Sequence, residues 1–133
     1  MFATDQLTRL TGFGSVHDVP KLPEGFNEVF ESHEIVANGV KLHAVIGGKG
    51  RPLLLLAGWP QNWYAWRYLM MPLARNFTVI AVDPRGVGLS EMALNGYDSD
   101  TLAQTLRRCA PALIITAPST NQFPNTANAS VRA

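Results

Sequence analysis

The stretch "LLLLAGWPQNWYAWRYLM", Leu53 to Met70, decides how this chain is read. Four consecutive leucines run into a Gly58–Trp59–Pro60 turn, and three tryptophans fall within the eight residues Trp59 to Trp66. An apolar run this short, bounded by turn residues, reads as a central strand covered on both faces; it is too short for a buried helix. Asn62 then offers an N-cap. Trp63, Trp66, Leu69, Met70 and Leu73 follow at helical spacing. Pro72 is expected to kink this helix or to open a second short one. Packing of helix against sheet accounts for the aromatic cluster. "FTVIAVD", Phe77 to Asp83, is a second apolar, β-branched strand. Strand, helix, strand in this span predicts a βαβ unit with parallel strands.

Upstream, "FESHEIVA" and "VKLHAVIG" flank Asn38-Gly39, the strongest two-residue hairpin signal. The expected register pairs Ala37 with Val40 and Ile35 with Leu42. It gathers Ile35, Ala37, Val40, Leu42, Ala44 and Ile46 on one buried face of a half-buried pair. It also sets Glu34 opposite His43 on the other face, which reads as a cross-strand charge pair. Residues 1–30 show no steady period and read as an irregular arm over the core. Downstream, Asp98 or Ser99 caps a helix carrying Leu102, Leu106 and Cys109 on one side. From Arg107 onward the sequence contains neither acidic residues nor glycine. Residues 107–133 therefore read as a divergent, disordered tail, with "ALIIT", Ala112 to Thr116, as an extra strand.

Composition narrows the function classes. The chain has 133 residues, 47% of them hydrophobic, which suits one domain with a real core. Its formal charge of +1 gives no steering toward nucleic acid or anionic lipid. Cys109 is the only cysteine, so neither an internal disulfide nor a thiolate metal site is expected. The first residues lack a basic start followed by an apolar core, and no apolar run suffices to span a bilayer. No membrane association is expected, and the expected location is the cytoplasm.

A specific resemblance appears at two places. "AGWPQNWYAWR", Ala57 to Arg67, resembles the His-Gly-X-Pro segment of epoxide hydrolases and their haloalkane dehalogenase relatives, within the α/β-hydrolase fold. "VDPRGVGLSE", Val82 to Glu91, resembles their Asp-X-Arg-Gly-X-Gly-X-Ser segment, and "GYDSDTLAQTL" continues the match. The resemblance runs from about Glu31 to Leu106. It implies a partial α/β-hydrolase domain over 31–106: antiparallel hairpin, parallel βαβ, then a helix.

The resemblance also implies a site. Trp59 stands where the family contributes a backbone N–H to the oxyanion hole, and an amide fixed at a strand end meets a developing oxyanion without reorganising. Gly58 permits an unusual backbone angle, Pro60 stiffens the turn, and the Trp59–Pro60 bond is a candidate cis peptide. The Trp59 ring and Pro60 would line a pocket for a small apolar substrate: an epoxide, halide or ester. The usual histidine is Ala57 here, which removes a side chain that helps to hold the loop. Asp83 is expected to cap backbone amides and Arg85 to pair with a carboxylate, both structural roles. "RGVGLSE" is neither a dinucleotide fingerprint nor a phosphate loop, and no cofactor is implied.

The rest of the family's machinery is not found. A nucleophile belongs on a sharp turn after the next strand, followed in chain order by an acid and a histidine. No Gly-X-Ser-X-Gly or Gly-X-Asp-X-Gly occurs, and His17, His33 and His43 all precede the leucine strand. Ser119 after "ALIIT" makes a poor elbow, flanked by Ala117 and Asn121. The expectation is an N-terminal piece of a larger hydrolase, shifted in frame or stopped near Leu106, and inactive by itself. The leucine strand would then be an open sheet edge, to be covered by residues 112–116 or by a second copy in a homodimer. The contrasting reading is a non-catalytic, self-associating interaction module.

Overall fold

The computed structural model describes residues 7–116. The segment expected to be an irregular arm contains two short elements. Strand β1 (Leu7–Leu10) pairs antiparallel with the hairpin, and a single-turn helix α1 (Phe26–Val29) closes the arm. Four residues are too few for alternation to stand out in the sequence; the neighbouring strand selects their conformation.

The hairpin forms as expected. Asn38 and Gly39 take φ of 52° and 75°, the positive pair that a tight two-residue turn needs. They join β2 (Phe30–Ala37) to β3 (Val40–Gly48), with Ala37 opposite Val40, Ile35 opposite Leu42 and Glu34 opposite His43. Strands β4 (Arg51–Leu56) and β5 (Phe77–Val82) pair in parallel. Between them a 3-10 helix, Trp63–Trp66, leads into α2 (Arg67–Leu73). Asn62 caps this segment, its side-chain oxygen accepting the Tyr64 N–H at 3.0 Å. Pro72 sits inside α2 and the helix ends one residue later, so it terminates the helix and does not start another. Helix α3 (Ser99–Thr116) is the last described element. Asp98 caps it: Thr101 donates its N–H at 2.8 Å and its hydroxyl at 2.7 Å, and these bonds hold the Asp98 carboxyl below the usual carboxylate range.

The sheet order is β1-β2-β3-β5-β4. Strand β5 is interior, and Thr78 to Val82 are all buried. Strand β4 is an edge, and Leu53, Leu54 and Leu55 are only half-buried. The reading of "LLLL" as a central strand covered on both faces is corrected here, whereas the expectation that it forms an open sheet edge holds. A continuous apolar run reports how greasy a strand is, not which neighbours it has.

Both faces of the sheet are covered. Ile35, Leu42, Ala44, Ile80 and Val82 pack with Cys109 of α3 on one face. Phe30, Val45, Val79 and Ala81 pack with Val16, Phe26, Trp63 and Met70 on the other. The arm covers the hairpin's second face around Phe30 and Ser32, so the half-buried reading holds only toward the turn, where Val36 and Lys41 are exposed. Two further expectations are overturned by α3. Residues 112–116 continue the helix and form no strand, and residues 107–116 are helical, so the expected boundary after Leu106 falls inside an element. A well-capped start favours extension of the helix over a new strand, and Pro111 inside it does not end it. Residues 117–133, including Ser119, lie outside the described residues.

Burial on α3 pushes the Cys109 thiol up to about 12 from its ordinary 9.0. The thiolate, not the thiol, is the nucleophile. A disulfide reagent at pH 8 is therefore expected to leave Cys109 unmodified in the native chain and to modify it stoichiometrically in urea. Fast native labelling would show that α3 does not stay docked.

Candidate functional site: the loop after β4 and its buried anchor

The loop from Ala57 to Asn62 leaves the C-terminal end of β4, beside the C-terminal end of its parallel neighbour β5. In parallel sheets this is the end where ligands bind. Gln61 donates its N–H to the Gly58 carbonyl at 2.8 Å, which closes a tight turn, and the Trp59–Pro60 bond is cis. The Trp59 ring is 84% exposed and Pro60 is exposed as well. Among the described residues, the Trp59 N–H donates to no acceptor.

What holds the loop is Asp83, fully buried at the end of β5. Its Oδ1 accepts the Trp63 N–H at 2.8 Å, which pins the loop's far end. Its Oδ2 accepts the Leu89 N–H at 3.1 Å and lies 2.8 Å from His43 Nδ1. Gly88, at φ 58°, makes room for this carboxylate; a Cβ there would strike Asp83 Oδ2. Asp83 thus caps backbone amides, as the sequence predicts. It also supplies the loop with a rigid support that does not depend on a side chain at Ala57.

His43 is where sequence reasoning failed. The register sets it opposite Glu34, yet the expected charge pair does not form: Glu34 reaches Lys41 at 3.7 Å, and His43 is completely buried. Its Nε2 lies 2.9 Å from Ser32 Oγ, which also accepts the Val16 N–H at 3.1 Å. The Ser90 hydroxyl accepts the His43 N–H at 2.9 Å and donates to the Asp83 carbonyl at 2.6 Å. With a carboxylate at Nδ1, the consistent assignment is Nδ1–H donating to Asp83 and Nε2 accepting from Ser32. Carboxylate, imidazole and hydroxyl then stand in the order of an acyl-transfer triad. Ser32 is fully buried, however, and sealed by the arm. The chain of bonds ties arm, hairpin and loop together and offers a substrate no access to the hydroxyl. The one sequence signal was a histidine in a mostly apolar strand; that Asp83 would reach it depends on β5 lying beside β3.

Arg85 departs from expectation in another way. It is buried, and it finds no carboxylate within ion-pair distance among the described residues. It donates to the Asn95 carbonyl at 2.7 Å and weakly to Thr105 Oγ1 at 3.5 Å. Among the described residues no group of His, Cys, Asp and Glu is arranged to hold a metal, and no helix is long and apolar enough to cross a membrane.

An antiparallel hairpin, a parallel strand pair and a strand-end loop braced from the next strand together define a class, and comparison with known proteins agrees. Residues 51–115 match the family model described as alpha/beta hydrolase fold. The match continues past Leu106, where sequence inspection lost the resemblance. The soluble epoxide hydrolase of Corynebacterium sp. (strain C12) is 49% identical over 75 residues, 56% of this chain and 26% of that protein. A fluoroacetate dehalogenase of Burkholderia sp. is 38% identical over 71 residues, 53% of this chain and 23% of that protein. The solved epoxide hydrolase CorEH superposes with a TM-score of 0.61 at 45% identity, over 63% of this chain and 30% of that one. The chain carries the α/β-hydrolase fold, and the relatives it resembles include epoxide hydrolases and a dehalogenase. It spans only 16–26% of the length of the first curated relatives it matches.

Proposed function

We propose that this chain carries the oxyanion-loop portion of an epoxide hydrolase-like hydrolase, its N-terminal part, and that it does not turn substrate over by itself. The observation that carries this reading is the Trp59 N–H: a backbone donor at the end of β4, without an acceptor among the described residues. A donor fixed in place lowers the energy of an oxyanion as it forms, because nothing need reorient at that moment. Trp59 and Pro60, exposed here, would wall the pocket of a small apolar epoxide, halide or ester. Stabilisation is only half of the chemistry. A nucleophile and a base must create the charge, and the one Ser–His–Asp set among the described residues is buried out of reach.

The purified chain is therefore expected to release no product from an activated ester or a styrene-oxide-like epoxide above a heat-treated control. Measurable turnover that vanishes on a single substitution in the chain would overthrow the reading.

A second reading follows from the open edge of β4, with its row of half-buried leucines and no charged side chain between Pro52 and Leu56. Such an edge pairs readily with another strand. Here the chain is a self-associating module, with a second copy as its partner. Light scattering is expected to give a mass above that of the monomer, falling to the monomer in Leu53→Lys. A monodisperse monomer before substitution rules this reading out.

A further inference from the structure

We propose that His43 is a positioning residue for the Trp59 amide, acting through Asp83. The inference rests on the reading of Trp59 as an oxyanion donor and adds what keeps that donor aimed. Gly58 to Gln61 are exposed, and their one hydrogen bond among the described residues is the internal closure from Gln61 to Gly58. A Cβ at Gly58 would meet nothing within 4 Å. The loop therefore takes its direction from its two ends. Strand β4 fixes the first. At the second, the buried Trp63 ring places residue 63, but a ring does not orient the peptide plane before it. What ties that plane to the sheet is the bond from the Trp63 N–H to Asp83 Oδ1 at 2.8 Å.

An aspartate does not aim itself, because its terminal torsion is broad and roughly two-fold. The aim of Asp83 is set by what it touches. Its Oδ2 meets the Leu89 N–H at 3.1 Å, on a partly exposed turn, and His43 Nδ1 at 2.8 Å, fully buried. The imidazole is the shorter contact and is itself fixed. Ser32 Oγ lies 2.9 Å from Nε2, and the Trp63 ring stands edge-on to it at 6.4 Å. A proton on Nδ1 makes the contact with Oδ2 a charge-assisted hydrogen bond, which leaves Oδ1 facing the Trp63 amide. Pairing of β3 with β5 brings the two residues together, and the Asp83 N–H donates to the His43 carbonyl at 2.9 Å. The hairpin thereby controls the aim of a loop that leaves a different strand.

The test uses the full chain without ligand or substrate, so it can fail while the oxyanion reading stands, and the reverse. Backbone nitrogen relaxation is expected to give Trp59 and Gln61 order parameters near the rigid value of about 0.85. Imidazole nitrogen shifts should place a proton on Nδ1 of His43. His43→Leu removes the donor; both order parameters should fall below about 0.6, and the Trp63 amide proton should move upfield. His43→Asn returns an N–H near the place of Nδ1 and should restore most of the rigidity. Ile35→Ala weakens the same hairpin from the opposite face and should leave both amides rigid. Absence of a proton on Nδ1, or a Trp59 amide already mobile in the unsubstituted chain, overturns the proposal whether or not any variant folds. So does a rigid Trp59 in folded His43→Leu, a loop as loose in His43→Asn as in His43→Leu, or equal loosening in Ile35→Ala.

Discussion

Asp83→Ala is expected to leave the chain largely unfolded at neutral pH. The carboxylate accepts the Trp63 and Leu89 N–H groups and meets His43 Nδ1, all with Asp83 fully buried. Truncation strands three donors, two of them fully buried and the Leu89 N–H partly so. Each costs about 1–3 kcal/mol, more when the acceptor was charged. The three share one partner and do not simply add, so a total of about 3–5 kcal/mol is the reasonable expectation. Small domains have only about 5–15 kcal/mol in hand. Asp83→Asn keeps the shape and one acceptor oxygen, so its loss should be smaller. Urea titrations followed by tryptophan fluorescence separate the cases. An Asp83→Ala midpoint equal to that of the unsubstituted chain would mean that the carboxylate is not the anchor described above.

Trp63→Ala is expected to cost a similar amount for a different reason. The indole is 1% exposed. It stacks on Phe26 at 6.0 Å between ring centroids and meets His43 and Tyr64 edge-on at 6.4 and 5.8 Å. Removing a buried tryptophan costs about 3–5 kcal/mol, part transfer and part cavity. The cavity would open beneath the arm, next to the Ser32–His43 bond. Loss of protection of the Val16 amide in hydrogen exchange should therefore accompany the fall in stability. Trp63→Phe keeps an aromatic face against Phe26 and should lose clearly less. A double variant with Asp83→Ala is expected to be less than additive, because both act on the same turn of chain. Independent effects would show that the Trp63 ring and the Trp63 N–H anchor separate parts of the fold.

Much of this was legible in the sequence, and it is instructive which parts were. Asn38-Gly39 specified a tight turn, and period-two alternation then determined the register residue by residue. Asn62 and Asp98 announced helix starts through side chains that cap nearby amides. Local rules worked where the partner lies within a few residues. They failed at Ala112–Thr116, where β-branched character suggested a strand and the helix simply continued. They failed at His43, whose neighbours in sequence say nothing about Asp83, 40 positions away. They also missed that Arg85 meets no carboxylate among the described residues, since that depends on where the fold places the acids.

The amino-acid sequence alone determined the class of this protein: a hairpin, a parallel pair and two short motifs that together belong to the α/β-hydrolase fold. The resemblance implied an open edge at the leucine strand, but the side-chain partners across the strands were decided only by tertiary structure. Inserting β5 between β3 and β4 is what makes the leucine strand an edge, brings Asp83 under His43 and braces the Trp59 loop from below. The physical reason is that hydrogen-bond and apolar patterns encode what each segment needs, whereas the identity of the segment that meets the need is settled when the chain packs.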